Sequence, residues 1–305
     1  MASFVKNNGS EKVTLNGEKV KSKMNLISEG IIAYTPVSTI PYNAKECSVV
    51  VYNNEIHILG GNSNETKHYK WDGESWTEVS TLPYSFRGRY KAVVFNNEIH
   101  ILGHSSSQYQ YHYKWNGNSW TSVSTLPEHL SKGFVVVYRN EIYALVYNGK
   151  MYKWNAIDGW TEVCSTRLSR GAGAVVVYDD KIHRFYSESA YDGYTSYAIY
   201  DGTNWETDNE FIAPSVSSSY GVVEGMAVIF NDTIYFSGSE STNSSSDEDV
   251  SYYTYLDKDG SWKFSDFAVD TEHTDSMAVT YNDEIHLIRE NKHYIIGKMY
   301  YKEVE

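Results

Sequence analysis

The sequence predicts an all-β chain, a six-bladed propeller of four-stranded antiparallel blades preceded by a short N-terminal β-hairpin. Three observations predict it. A unit of four short strands recurs along the chain, two of its three internal connections are two-residue turns of Asn, Asp or Gly, and Val, Ile and aromatic residues fill the strands. The turn residues tolerate the positive φ angles of a tight antiparallel hairpin. Strands that are apolar on both sides suit a sheet packed on both faces.

The unit is clearest from Ser48 to Val79. Its second strand begins at Glu55 and again at Glu98, Glu141, Lys181, Thr233 and Glu284, each followed by Ile and then His or Tyr. These starts lie about 43, 43, 40, 52 and 51 residues apart, the range expected of one propeller blade per repeat. A single blade cannot bury both of its faces, so stacking in a closed ring supplies the core and protects the strand edges.

Residues 1–30 stand apart from the propeller, residues 31–305. They hold no Tyr or Trp and carry five Lys against three Glu. Glu11 to Leu15, Asn16-Gly17 and Glu18 to Lys21 predict a hairpin, and an isolated hairpin is marginal in water. An attachment arm for a protein partner, an extra hairpin tucked on the propeller and a disordered leader all remain open. Ala33 to Tyr42 repeats Ser75 to Tyr84 almost position for position. It is therefore expected to close the ring as the outer strand of the last blade, with Tyr301 to Val304 as a second candidate for that edge.

Gly60-Gly61, Tyr69, Trp76-Thr77-Glu78-Val79 and Leu82-Pro83 together resemble the kelch repeat, and the match recurs from Tyr113 to Pro127 with Trp120. Trp160, Trp205 and Trp262 hold the same tryptophan position. The glycine pair becomes Gly103-His104, Val146-Tyr147, Tyr186-Ser187, Ser237-Gly238 and Arg289-Glu290 in the other blades. This resemblance covers roughly residues 31 to 305 and implies a fold more than a function, because kelch propellers serve as binding modules, scaffolds and occasional enzymes. The wording of Asn53 to Gly60 and Tyr113 to Trp120 also resembles kelch-like proteins of phage and prophage structural regions in low-GC Gram-positive bacteria. That resemblance implies a virion-associated protein, in a tail or as capsid decoration, anchored through residues 1–30 and presenting the propeller to a protein or a host-surface glycan. A cytoplasmic scaffold is the alternative location.

Composition narrows the partners. A net charge of −13 argues against nucleic acid and anionic membrane, which repel an acidic chain. With 28 Tyr and 8 Trp, the chain holds more aromatic residues than blade packing requires, so some tyrosines are expected at a surface that binds protein or sugar. Cys47 and Cys164 occupy non-equivalent repeat positions, which predicts neither a disulfide nor a metal site. The N-terminus lacks an apolar run with a cleavage site, and nowhere do 18 apolar residues follow one another, so synthesis in the cytoplasm without membrane insertion is expected.

Strand direction sorts the connections into two faces. The first and third turns of every blade share one face and are short; the second turns and the links between blades share the other and are long and variable. Rigid scaffolds carry recognition on such loops. The candidate binding residues there are Tyr84, Arg87, Arg89, His104, Tyr109, Glu128, His129, Arg167, Arg170, Tyr191, Tyr194, Tyr220 and His273. Arg forks bind carboxylate or phosphate and tyrosines offer stacking surface, although in the kelch pattern an Arg at such a link also ties neighbouring blades.

Other residues invite chemistry and are assigned to structure. His57, His100, His183 and His286 fall at one position on separate blades, too far apart to share an ion, and Tyr143 and Tyr235 fill the same slot elsewhere. Asp72-Gly73-Glu74-Ser75-Trp76 is one residue short of a sialidase Asp box and reads as turn chemistry. Ser244 to Asp249 clusters carboxylates without the spacing or glycine of a calcium loop. The resemblance also reaches galactose oxidases, whose copper site needs a Cys-modified tyrosine that neither cysteine here is placed to form. It reaches sialate mutarotases too, whose acid–base work would fall to Glu128, His129, Arg167, Glu224 or His273. A non-catalytic module with no cofactor is the preferred expectation.

Overall fold

The computed structural model describes residues 4–6, 12–15, 18–23, 31–61, 66–85, 90–106, 109–130, 133–146, 148–166, 173–186, 196–208, 222–240, 250–256, 262–264 and 277–301. Five of its sheets have four strands in antiparallel order. Sheet 1 is Ser48–Tyr52, Glu55–Leu59, Lys67–Trp71 and Trp76–Thr81; sheet 2 is Tyr90–Phe95, Glu98–Ser106, Tyr109–Trp115 and Trp120–Ser124. Sheet 3 is Phe134–Tyr138, Glu141–Leu145, Lys150–Asn155 and Gly159–Ser165. Sheet 4 is Gly173–Tyr178, Lys181–Tyr186, Ser196–Tyr200 and Trp205–Asp208, and sheet 5 is Val222–Phe230, Thr233–Glu240, Val250–Leu256 and Trp262–Phe264. The first strands of neighbouring sheets touch in sequence, and the ring returns to sheet 1 through a composite sheet. The architecture is an all-β propeller.

The composite sheet departs from the predicted set of six equal blades, leaving five four-stranded blades. Met277–Tyr281, Glu284–Arg289 and Lys292–Tyr301 pair in order, three strands where the other sheets have four. Ile31–Thr39 supplies the fourth, pairing with Lys292–Tyr301 from Thr39 opposite Lys292 to Tyr34 opposite Ile296. Tyr301, the rival for this edge, is the end of the third strand, and residues 302–304 lie outside the described residues. The strands Phe4–Lys6, Lys12–Leu15 and Glu18–Lys23 extend the same sheet to seven, with Lys23 opposite Met299. Their described backbone is joined to the propeller by that pairing.

Turn chemistry explains the smooth face. Each first turn places two residues at positive φ: Asn53-Asn54, Asn96-Asn97, Arg139-Asn140, Asp179-Asp180, Asn231-Asp232 and Asn282-Asp283. This is the conformation that right-twisted hairpins need and that Asn and Asp tolerate best. Arg139 is the exception in kind. It is held by a fork to Asp180 of the next sheet, a contact to the Asp201 carbonyl, and stacking over Tyr138. Third turns repeat a second device, an Asx side chain accepting two backbone N–H groups: Asp72 from Glu74 and Ser75, Asn116 from Asn118 and Ser119, Asn155 from Ile157 and Asp158, Asp201 from Thr203 and Asn204.

Between blades lie apolar clusters and a polar relay absent from the sequence reading. His57 Nδ1 meets His68 Nε2 at 2.8 Å, His68 Nδ1 meets Ser80 Oγ at 2.8 Å, and Ser80 Oγ accepts the Trp120 indole N–H of sheet 2 at 3.0 Å. The same chain of contacts runs His100, His112, Ser124 to Trp160, and His286, His293, Ser38 to Trp76. An indole can only donate. The serine oxygen therefore accepts from the indole and keeps its own proton and a second lone pair for the second histidine, whose tautomer sets the direction of both remaining contacts. Burial pulls His57, His100 and His286 down to about 4 and His68, His112 and His293 to about 3, so all six are neutral at pH 7. Ser38 sits on the ring-closing strand, so the seam is fastened by the relay used elsewhere.

Sheet 3 replaces the whole set at once. Tyr143, Met151 and Cys164 stand where the two histidines and the serine stand in sheets 1 and 2. Trp205 of sheet 4 packs in the same cluster as Cys164, and its indole N–H meets no oxygen or nitrogen acceptor among the described residues, only the Cys164 sulfur. The sulfur facing it is a weak acceptor. In sheet 4, His183 keeps the first position and takes its Nδ1 contact from the Tyr197 hydroxyl.

Candidate functional site

The described part of the loop-bearing face is built from one repeated device. Ile40, Leu82 and Leu126 lie just past the end of an outer strand as buried anchors, at 1%, 3% and 0% exposure. A proline follows each; lacking an N–H, it cannot extend the ladder, and the chain leaves the sheet. The next residue is delivered to the rim over the third strand of the following blade. These three residues are Tyr42, Tyr84 and Glu128.

Two of them meet a tyrosine ring, and the third acts on one through its charge. The Tyr42 ring lies 5.3 Å from that of Tyr69, and its hydroxyl donates to the Gly60 carbonyl. Glu128 acts on Tyr152 electrostatically, raising its pKa alongside the larger effect of burial. Tyr84 stacks on Tyr111 with centroids 4.2 Å apart and planes 16° from parallel, while Tyr113 lies 6.0 Å from both. Hydrogen bonding with Tyr111 raises the Tyr84 pKa and burial raises that of Tyr113, so Tyr84 and Tyr113 are neutral at pH 7. Tyr84 is 42% exposed; Ile157 is the other large apolar side chain exposed among the described residues.

The three copies differ at the next position out. In sheet 1, Lys67 Nζ lies 3.6 Å from Glu78, which also accepts from the Tyr69 hydroxyl at 2.9 Å. In sheet 3 the equivalent pair, Lys150 and Glu162, closes to 2.9 Å. Tyr111 and Ser122 occupy those two places in sheet 2.

His104 lies near the end of the second strand of sheet 2 and is buried at 3% exposure; its ring lies 5.5 Å from that of His129, on the link to sheet 3 beside Glu128. The structure thus groups His104, Glu128 and His129 at one link and Tyr84 at the previous one. Tyr109 is placed by backbone alone, at the start of the strand that carries Tyr111 and Tyr113. Arg87, Arg89, Arg167, Arg170, Tyr191, Tyr194, Tyr220, His273 and the Ser244 to Asp249 segment lie outside the described residues. Tyr111, Tyr113 and Tyr152 were missed by the sequence reading. The Leu-Pro-Tyr delivery motif combined with alternation along Tyr109 to Trp115 is the signal that finds the first two.

Among the described residues no group of three His, Cys, Asp or Glu is placed to hold a metal ion. Both cysteines are free thiols, and burial pushes Cys47 up to about 12. Among the described residues no helix is long and apolar enough to cross a membrane.

The sequence matches no family model and no curated protein. Solved structures match the fold. The structure of YjhT superposes with a TM-score of 0.64 at 14% identity, over 85% of this chain and 95% of that one. A mutant of the Aleuria aurantia lectin in complex with α-methyl-L-fucoside superposes with a TM-score of 0.58 at 12% identity, over 86% of this chain and 96% of that one. At these identities the likeness is one of fold, and the chain is an all-β propeller built of four-stranded antiparallel blades.

Proposed function

We propose that this protein is a non-catalytic recognition module, a kelch-type propeller whose composite sheet serves as the sixth blade and whose loop-bearing face binds a glycan. The observation that carries the reading is the exposed Tyr84 ring, held rigid by its stack on Tyr111. A fixed aromatic face that keeps its hydroxyl hydrated offers an apolar surface to the C–H side of a sugar while the sugar's hydroxyls stay in water. The fold-level likeness to a lectin bound to a fucoside supports the ligand class. A glycan array probed with the labelled protein tests it: saccharide binding that weakens in Tyr84→Ala is expected, and an array with no binding above background would overturn it.

The His104 and His129 rings meet at one link, with Glu128 next to His129 in sequence, and favour a second reading, acid–base chemistry on a bound sugar. Anomer-resolved NMR of free sialic acids or galactose with the protein separates the two, since a binding module leaves the rate of anomer exchange unchanged.

The location we propose is the virion of a phage or prophage, with the basic N-terminal strands toward a structural partner and the loop-bearing face outward. The phage-like wording of the repeats and the Lys-rich composition of residues 1–30 support it. Co-purification with assembled particles, lost when residues 1–30 are removed, is the expected result.

A further inference from the structure

Three quasi-equivalent rim positions deliver a residue over a third-strand tyrosine, and only the one on sheet 2 lacks the cross-strand ion pair. Lys67 with Glu78, and Lys150 with Glu162, cover that place on sheets 1 and 3 with a charged lid joined at 3.6 and 2.9 Å. Tyr111 with Ser122 stands there on sheet 2, and the outcome is a three-ring surface of Tyr84, Tyr111 and Tyr113. We propose that this surface is a single saccharide subsite per chain, selective for an uncharged pyranose. The inference rests on the glycan-binding reading and adds to it which blade binds, how many sugars bind and what charge they carry.

The selectivity follows from what the substitution removes. A Lys–Glu pair holds water around both charges and offers hydrogen bonds to ionic groups. Replacing it with a phenol and a small hydroxyl leaves a surface of ring faces edged by neutral donors and acceptors. Such a surface favours the C–H face of a neutral ring, with hydroxyl contacts to Tyr hydroxyls and Ser122. A carboxylate-bearing sugar finds no countercharge among these four side chains. On sheets 1 and 3 Glu78 and Glu162 stand beside the equivalent tyrosines, Tyr69 and Tyr152, so those positions do not duplicate the site.

Titration calorimetry on the full chain tests this, with methyl α-L-fucoside, methyl β-D-galactoside, methyl α-D-mannoside and N-acetylneuraminic acid as probes. One neutral glycoside is expected to bind with a stoichiometry of one. Tyr111→Lys with Ser122→Glu transplants the neighbouring ion pair onto sheet 2, and affinity should fall about tenfold or more, the scale of one lost aromatic contact. The reciprocal variant, Lys67→Tyr with Glu78→Ser, should leave affinity at the original site unchanged and confirms that the fold accepts both pairs. Binding of a neutral glycoside that is unaffected by the sheet 2 swap, or that shows several equal sites, overturns the subsite and leaves the glycan-binding reading standing. Tighter binding of N-acetylneuraminic acid overturns the selectivity in the same way. No binding of any saccharide, with capture of a protein partner through Tyr84 instead, overturns both.

Discussion

Acidification should unfold this protein far more steeply than its carboxylates alone require, because six buried histidines stay neutral in the folded state. The unfolded chain protonates each histidine at a pKa of about 6.5. The folded values lie below this, at about 4 for His57, His100 and His286 and about 3 for His68, His112 and His293. Below pH 6.5 the unfolded state therefore binds more protons, so stability is fully present at pH 7 and above and is lost as pH falls toward the folded pKa values. Each histidine contributes a slope approaching ~1.4 kcal/mol per pH unit, and six contribute ~8 kcal/mol per unit. A domain with a stability of ~5–15 kcal/mol is exhausted within about two units, which puts the acid midpoint near pH 5. Glu55 and Glu98 raise His57 and His100, and Lys70 and Lys114 oppose them; these smaller effects are already contained in the folded values.

The perturbation that isolates this cause comes from the molecule itself. His100→Tyr, His112→Met and Ser124→Cys give sheet 2 the set that sheet 3 already carries. Two of the six protons are removed, and the slope should fall by a third, about 2.7 kcal/mol per pH unit. Urea unfolding followed by tryptophan fluorescence at half-unit steps from pH 7.5 to 5 measures it. A wild-type stability that is flat between pH 7 and 5, or a triple variant with an unchanged slope, would refute the reasoning.

Ser80→Ala leaves the Trp120 N–H and His68 Nδ1 without their shared partner and should cost about 1–3 kcal/mol in urea unfolding. Cys164→Ser restores a strong acceptor for Trp205 and should stabilise the protein by about 1 kcal/mol, read as a higher denaturation midpoint with an unchanged m-value. Arg139→Ala, despite a bidentate contact to Asp180, should cost less than about 1 kcal/mol in the same assay, because the pair is exposed at 48% and 66%. Tyr84→Ala should change stability by no more than about 0.5 kcal/mol while weakening glycan binding, since its ring already lies at the surface.

Local chemistry explains why the fold was legible. Asn-Asn, Asn-Asp and Asp-Gly pairs fix the hairpins through φ, and the Glu-Ile-His phrase marks each second strand, so blade spacing follows from residues one can point to. The ring-closing role of the Ile31–Thr39 strand was visible in its copy of the Trp76 strand. What the sequence hid depends on contacts between repeats. His57 was correctly separated from His100, yet its partner His68 sits on the next strand with an unremarkable neighbourhood, and the serine and tryptophan completing the relay lie on two different blades. The six equal blades failed at the composite sheet because pairing of the N-terminal strands with residues past Ile296 leaves no periodic trace. At the site, single exposed residues such as Tyr84 were found by position, whereas Tyr111 gained meaning only when set against Lys67 and Lys150, its structural equivalents. Much of the remaining candidate set falls in the long connections outside the described residues.

The central claim is that the rim of sheet 2 presents its stacked tyrosines to a sugar. NMR of the full chain with 13C-labelled tyrosine rings, titrated with the neutral methyl glycoside that binds, reads that surface directly. The account predicts shifts at Tyr84, Tyr111 and Tyr113, with Tyr42, Tyr69 and Tyr152 still. Shifts centred on the latter three, or a saturable sugar that moves none of the six, would contradict it.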